Sequence, residues 1–187
     1  MCIRDRCHLL PFDIAETNIS YYALCALMFS VGLSVGNDPQ TLKNFRSLNP
    51  RLVFLPIMTI LGTLAGSAAV SLILTHRSIT DCLAVGSGFG YYSLSSIFIT
   101  EYKGAELGTI ALLANISREI LTLLAAPLLV RWFGNLAPIS AGGATTMDTT
   151  LPIITRTAGQ QFVVVSIFHG FVVDFSVPFL VTLFCSI

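Results

Sequence analysis

Two carboxylates stand where carboxylates are rare. Glu119 lies midway along the apolar run from Glu106 to Val130. Asp148 lies inside a second run, Gly142-Gly143-Ala144-Thr145-Thr146-Met147-Asp148-Thr149-Thr150-Leu151-Pro152. Both runs are long enough to enter a bilayer. A charged side chain at the bilayer centre costs at least about 2.5 kcal/mol, so such residues are scarce and mark ion or substrate paths. The chemistry they offer is reversible binding of a cation. An acid withdrawn from water favours its protonated form, so a proton and an organic cation can compete for it.

Of ten Lys/Arg and ten Asp/Glu, only Arg118, Glu119, Asp148 and Asp174 lie deep in apolar runs, and His169 joins them. On a helix, Arg118 and Glu119 point about 100° apart and pair poorly, so each needs a partner elsewhere. Asn115 shares the face of Glu119 at i, i+4 and makes a polar patch with it. Arg118 could neutralise Asp148 across the bundle, receive a substrate carboxylate, or serve only as a buried bridge between helices. Thr145, Thr146, Thr149 and Thr150 bracket Asp148, and their hydroxyls could share the solvation of a cation. Asp148 reads equally as a helix N-cap before Leu151-Pro152. His169, followed by Gly170, is either a hydrogen-bonded packing residue or a proton relay. Asp174 is five residues on, off that face, and could sit near a wet cavity. Ser93 and Ser95, after Tyr91-Tyr92, belong to the candidate path, with backbone hydrogen bonding in a broken helix as their plainer role.

The elements that must position these groups are membrane-entering. The 187-residue chain is 54% hydrophobic and 11% charged, with a mean hydropathy of +0.80. Soluble domains carry about 25% charged residues, so the composition excludes an ordinary globular enzyme and leaves an integral membrane protein set in a lipid bilayer. The net charge is zero, which provides no footprint for nucleic acid. Cys2, Cys7, Cys25, Cys82 and Cys185 are scattered without metal-ligand spacing, so no metal or cofactor is expected.

Six segments follow, at about 18–35, 52–75, 82–100, 107–130, 138–155 and 162–187. Residues 1–17 are set apart as non-native or poorly ordered, leaving 18–187 as the transmembrane domain. MCIRDRC resembles a translated adapter, and the natural chain is expected to be longer at its N-terminus. A spanning helix needs about 20 apolar residues. The third and fifth segments are short and interrupted, the third by Gly86, Gly88 and Gly90, the fifth by Gly142, Gly143 and Pro152. Paired interrupted segments point to a transporter's binding site, because half-helix ends supply dipoles there. The plainer reading of the third-segment glycines is close helix packing. The fold class expected is an all-α polytopic helix bundle with two discontinuous helices. If all six segments cross, one side holds Lys43, Arg46, Arg51, Lys103 and Arg156, and the other Arg77 and Arg131. The positive-inside rule then makes the first side cytoplasmic and puts the C-terminus outside. A re-entrant third or fifth segment would change the parity.

Four separated motifs carry a resemblance. Gly88-Phe89-Gly90-Tyr91-Tyr92-Ser93-Leu94-Ser95 resembles GFGWYSLSG, and Arg118-Glu119 resembles an ARE motif. Gly143-Ala144-Thr145-Thr146-Met147-Asp148-Thr149-Thr150-Leu151-Pro152 resembles GATSMDFTLP, and His169-Gly170-Phe171 resembles HGF. Leu27–Gly36 is similar to a fifth stretch, LFLVGIQL. In this order they resemble the lysine exporter family (LysO-type), over nearly the whole chain from about residue 18 but only the C-terminal part of a member. The resemblance implies an antiporter-like inverted-repeat architecture with discontinuous helices. It implies export of L-lysine and lysine analogues across the bacterial cytoplasmic (inner) membrane, with Glu119 and Asp148 matching the family's intramembrane acids. The chain departs from the family at Asn115, where the family has an acid, and at Asp174, where it has none.

The expected function is therefore secondary transport, not enzymatic catalysis: L-lysine leaves in exchange for protons. A sodium/proton or other cation antiporter fits the same residues. A remote alternative is an intramembrane hydrolase with Ser87 as nucleophile and His169 as base. A homo-oligomer is left open.

Overall fold

The computed structural model describes residues 50–74 and 76–187. Residues 1–17, the segment at 18–35, and the loop cations Lys43 and Arg46 lie outside the described residues. Those described form helices only: α1 (Pro50–Val53), α2 (Leu55–Ile73), α3 (Ile79–Gly86), α4 (Tyr92–Lys103), α5 (Ala105–Phe133), α6 (Ala137–Gly142), α7 (Leu151–Ala158) and α8 (Val163–Ser186). A 3-10 turn, Gly143–Met147, links α6 to α7, and another, Gln160–Phe162, leads into α8.

Three of these stretches are long and apolar enough to cross a membrane: Leu55–Ile73, Ala105–Phe133 and Gln160–Ser186. α5 runs between Gly104 (φ 93°) and Gly134 (φ 88°), whose positive φ values end the helix on each side. α5 and α8 continue through Pro127 and Pro178, as membrane helices tolerate where neighbours re-satisfy the freed carbonyl. Large apolar side chains face outward along them: Leu124 is 74% exposed and Phe179 63%. Rows of such side chains mark a surface made for lipid or partner helices.

The remaining helices are too short to cross. The 8 residues of α3 span about 12 Å and the 12 of α4 about 18 Å, against a hydrocarbon core of about 30 Å. Arg77, before α3, pairs with Glu106 at the start of α5, and Lys103, ending α4, lies 3.8 Å from Asp81. Hence α3 enters from one end of the bundle and α4 returns to it. The second pair mirrors this from the other end. Ile139 of α6 and Ile154 and Ala158 of α7 share one buried cluster with Val165 at the start of α8, and Leu55 and Val130 pack against it. These come from the start of α2 and the end of α5.

Of the two cases left open for segments 82–100 and 138–155, crossing or re-entrant, the helix order matches the second: each turns back on itself, through five residues without α-helix (Ser87–Tyr91) in one and a 3-10 turn in the other. Arg77 and Lys103, assigned to opposite sides when all segments cross, share an end. The two reversals cancel, so α8 still finishes at the end opposite the start of α2.

Candidate functional site

The turn between α3 and α4 meets the turn between α6 and α7. The Ala144 N–H donates to the Phe89 carbonyl at 2.9 Å. A Cβ on Gly143 (φ 65°) would lie 2.2 Å from that oxygen, and one on Gly90 (φ 94°) would lie 3.1 Å from the Gly142 carbonyl. Glycine is required here both for backbone angle and for approach. Phe89, fully buried, has φ 47°, the one non-glycine positive φ among the described residues. Strain of this kind persists only where surrounding contacts over-determine the conformation.

α5 holds both tips with neighbouring side chains one turn apart. The Asn115 Oδ1 accepts the Gly90 N–H at 2.7 Å, and its Nδ2 donates to Ala111 O at 2.9 Å and Val85 O at 3.3 Å. A Cβ on Gly88 would lie 2.5 Å from that nitrogen. Arg118 donates through Nε to Ala141 O at 2.7 Å and through Nη2 to Ser140 O at 3.1 Å, with its guanidinium 5.9 Å over the Phe89 ring. These carbonyls close α6, and a cation at a helix C-terminus is favourably placed against the dipole. Arg118 does not reach Asp148: the backbone oxygens are nearer and already aimed at it.

On the far side of the tips, α8 packs against the turn Gly143–Met147. A Cβ on Gly170 would lie 2.7 Å from the Met147 nitrogen. His169 is fully buried, with Nδ1 3.2 Å from Thr146 Oγ1 and Nε2 2.9 Å from Thr59 Oγ1. Both ring nitrogens are engaged, which is the arrangement of a packing residue tying α2 to the second tip. Ser87 donates to Ala84 O, so the Ser87–His169 dyad is not formed.

The threonines around Asp148 do not gather on its carboxylate. Thr145 donates to Gly142 O and lies 3.3 Å from Thr150 Oγ1, and Thr146 bonds Gly143 O and Ser166 O. In a 3-10 turn the carbonyl three residues back is the nearest acceptor. Asp148 is exposed, its Oδ1 accepting the Thr149 N–H at 2.6 Å, and the N-cap of α7 is Thr150. Thr149 is exposed as well. Glu119 continues the buried α5 stripe of Ala111, Asn115 and Thr122 yet stays half-exposed, and it makes no hydrogen bond or ion pair among the described residues. Ser95 is buried and donates to Tyr91 O, while Ser93 is exposed. Gly86 packs on Ser67 of α2.

Two clefts flank Arg118 between α2 and α5. One, of about 690 Å³, is lined by Met58, Leu121 and Leu129 toward one end; the other, of about 680 Å³, by Val70, Leu107 and Ile110 toward the opposite end. Thr63, Ala114 and Arg118 line both. Neither Glu119 nor Asp148 lines either cleft. Thr59 and Thr63 are absent from the sequence-derived set. A signal was present: Thr59, Thr63, Ser67 and Ser71 recur every four residues in an otherwise apolar helix, one polar stripe on one face.

Comparison with known proteins gives two curated relatives and a family. The sequence profile described as Lysine exporter LysO matches residues 6–185. The chain is 37% identical over 177 residues to a protein of Escherichia coli (strain K12) named "Lysine exporter LysO", covering 95% of this chain and 58% of that protein. It is 36% identical over 165 residues to a "Putative lysine exporter" of Haemophilus influenzae (strain ATCC 51907 / DSM 11121 / KW20 / Rd), covering 88% of this chain and 83% of that one. No solved structure matches.

Proposed function

This chain belongs to the lysine exporter LysO family, and from that premise we propose that it exports L-lysine across the bacterial cytoplasmic membrane in exchange for protons. The observation that carries the reading is the meeting of two half-length hairpins beneath a groove that Arg118 divides. The C-terminal carbonyls of α3 (Val85) and α6 (Ser140 and Ala141) converge there on donors from α5. Helix C-termini attract cations, and discontinuous helices at mid-depth are where transporters hold substrate. The two hairpins entering from opposite ends also support an inverted-repeat architecture.

In the proposed mechanism Glu119, next to Arg118 on α5, and Asp148, both outside the walls of the two clefts, bind the cationic end of lysine as it passes the waist. The Nη1 of Arg118, 3.4 Å from Thr63 at the waist of the groove, meets its carboxylate. Moving a cation outward against the membrane potential costs about 2.3 kcal/mol per 100 mV. One-for-one exchange with an incoming proton makes the cycle electrically neutral. The end that carries Arg51, Arg131 and Arg156 is assigned to the cytoplasm, since it holds more cations than the end with Arg77 and Lys103.

The test is uptake and release of labelled lysine in proteoliposomes with and without an imposed pH gradient. Gradient-driven movement is expected in the parent protein and is expected to be lost in Glu119→Gln and in Asp148→Asn. Lysine flux unaffected by the double substitution would sink the proposal. The competing reading, a sodium/proton antiporter, predicts sodium-dependent proton flux with no lysine present.

A further inference from the structure

Among the described residues only two buried side-chain oxygens lack a hydrogen-bond partner, Ser166 Oγ and Asp174 Oδ1. Both lie on α8. With Gly170 between them they form one stripe at spacings of four, on the face that receives the Gly143–Met147 turn. Asp174 is 4% exposed, and no ion pair among the described residues reaches it. Arg118, the cation held at the tips, is turned the other way, onto the α6 carbonyls. Asp148 and Tyr91 lie within electrostatic reach of Asp174.

A carboxylate withdrawn from water without a countercharge or donors is costly, and each such group calls for an occupant. Two acids that feel one another add to that cost when both are charged, and a single cation between them removes it.

We propose that Asp174, buried and unpartnered on this stripe, binds the exchanged proton as one member of a pair whose other member is Asp148, within its electrostatic reach. Binding is simple protonation: the proton joins one carboxylate oxygen and leaves to the opposite side as the path reopens. This rests on the lysine/proton reading and assigns its proton to a position distinct from Glu119. It also makes Asp174 a coupling residue, whose loss separates the two fluxes without abolishing lysine binding.

The experiment uses the full-length protein in proteoliposomes and reads two fluxes. One is lysine/lysine counterflow at equal pH, the other lysine movement driven by a pH gradient. Asp174→Asn is expected to keep counterflow and to lose the response to the gradient. Asp174→Glu, which restores the acid, is expected to recover part of that response. Asp174→Asn that responds to the gradient like the parent overturns the proposal. Loss of both fluxes in Asp174→Asn overturns it too, since the residue would then serve lysine or the fold. A lysine-independent readout separates this from failure of the transport reading. In the parent protein an infrared carbonyl band of a protonated carboxyl should titrate with pH and be missing in Asp174→Asn. If lysine does not move at all but that band behaves so, the proton site stands and the substrate falls. If sodium displaces the proton from the band, the pair is a sodium site and the proposal is overturned.

Discussion

Arg118 shows how one side chain is committed by its surroundings. The planar guanidinium reaches Ala141 O with Nε and Ser140 O with Nη2, two carbonyls that the end of α6 leaves without intrahelical donors. A lysine ammonium is a point charge on a flexible stem and does not reproduce that fork. Arg118→Lys is therefore expected to lose one charge-assisted hydrogen bond, about 1.5–3 kcal/mol. Its thermal unfolding midpoint in detergent should fall below that of the parent. An unchanged midpoint would mean that the clamp contributes nothing to holding α6. Asn115 acts on the other tip, where its amide completes the Gly90 N–H and the Val85 carbonyl at once.

The helical elements owe their lengths to what interrupts them. α5 runs 29 residues between its two flanking glycines and continues through Pro127. α6 stops after 6 because Gly143 takes φ 65°, and the chain turns back. Hairpins that return to their own end make a topological prediction. In a cysteine-free background, single cysteines at His76 and Glu101 should react with a membrane-impermeant maleimide from the same side. Cysteines at Asn135 and Gln160 should both react from the opposite side. All four positions are exposed. Labelling of His76 and Glu101 from opposite sides would restore a crossing third segment and overturn the hairpin.

At the scale of the whole molecule the two clefts share a waist at Thr63, Ala114 and Arg118. The groove they form follows α2 and α5, with α3 beneath one half and α6 beneath the other. Ala114 faces it and is exposed, so a larger side chain there fills the path rather than the core. Ala114→Trp is expected to abolish lysine flux while leaving the unfolding free energy within about 0.5 kcal/mol of the parent, the usual range for a surface substitution. Parent-like flux in that variant would place the path elsewhere, on the α8 side of the tips.

Much was legible in the sequence because the relevant physics is local. Hydropathy over 19 to 29 residues sets which helices can cross, and glycines at Gly90 and Gly143 declare where a helix stops. Arg118, Asn115 and the intramembrane acids stand out because a bilayer penalises them wherever they point. Direction and partnership are not local. Whether segments 82–100 and 138–155 cross or turn back depends on which ends pair, and that is fixed by Arg77 with Glu106 and by the cluster around Ile139 and Ile154. The threonines near Asp148 were read as its partners from proximity in the chain, yet a 3-10 turn gives their hydroxyls nearer backbone acceptors. Asp174 was visible as an oddity but not as a buried acid without a hydrogen-bond partner among the described residues. The sequence by itself determined that charged residues would fall within apolar runs; only the tertiary structure decided what each charge meets, because the carbonyls that hold Arg118 lie 22 and 23 residues away in the chain and reach it only when α6 packs against α5.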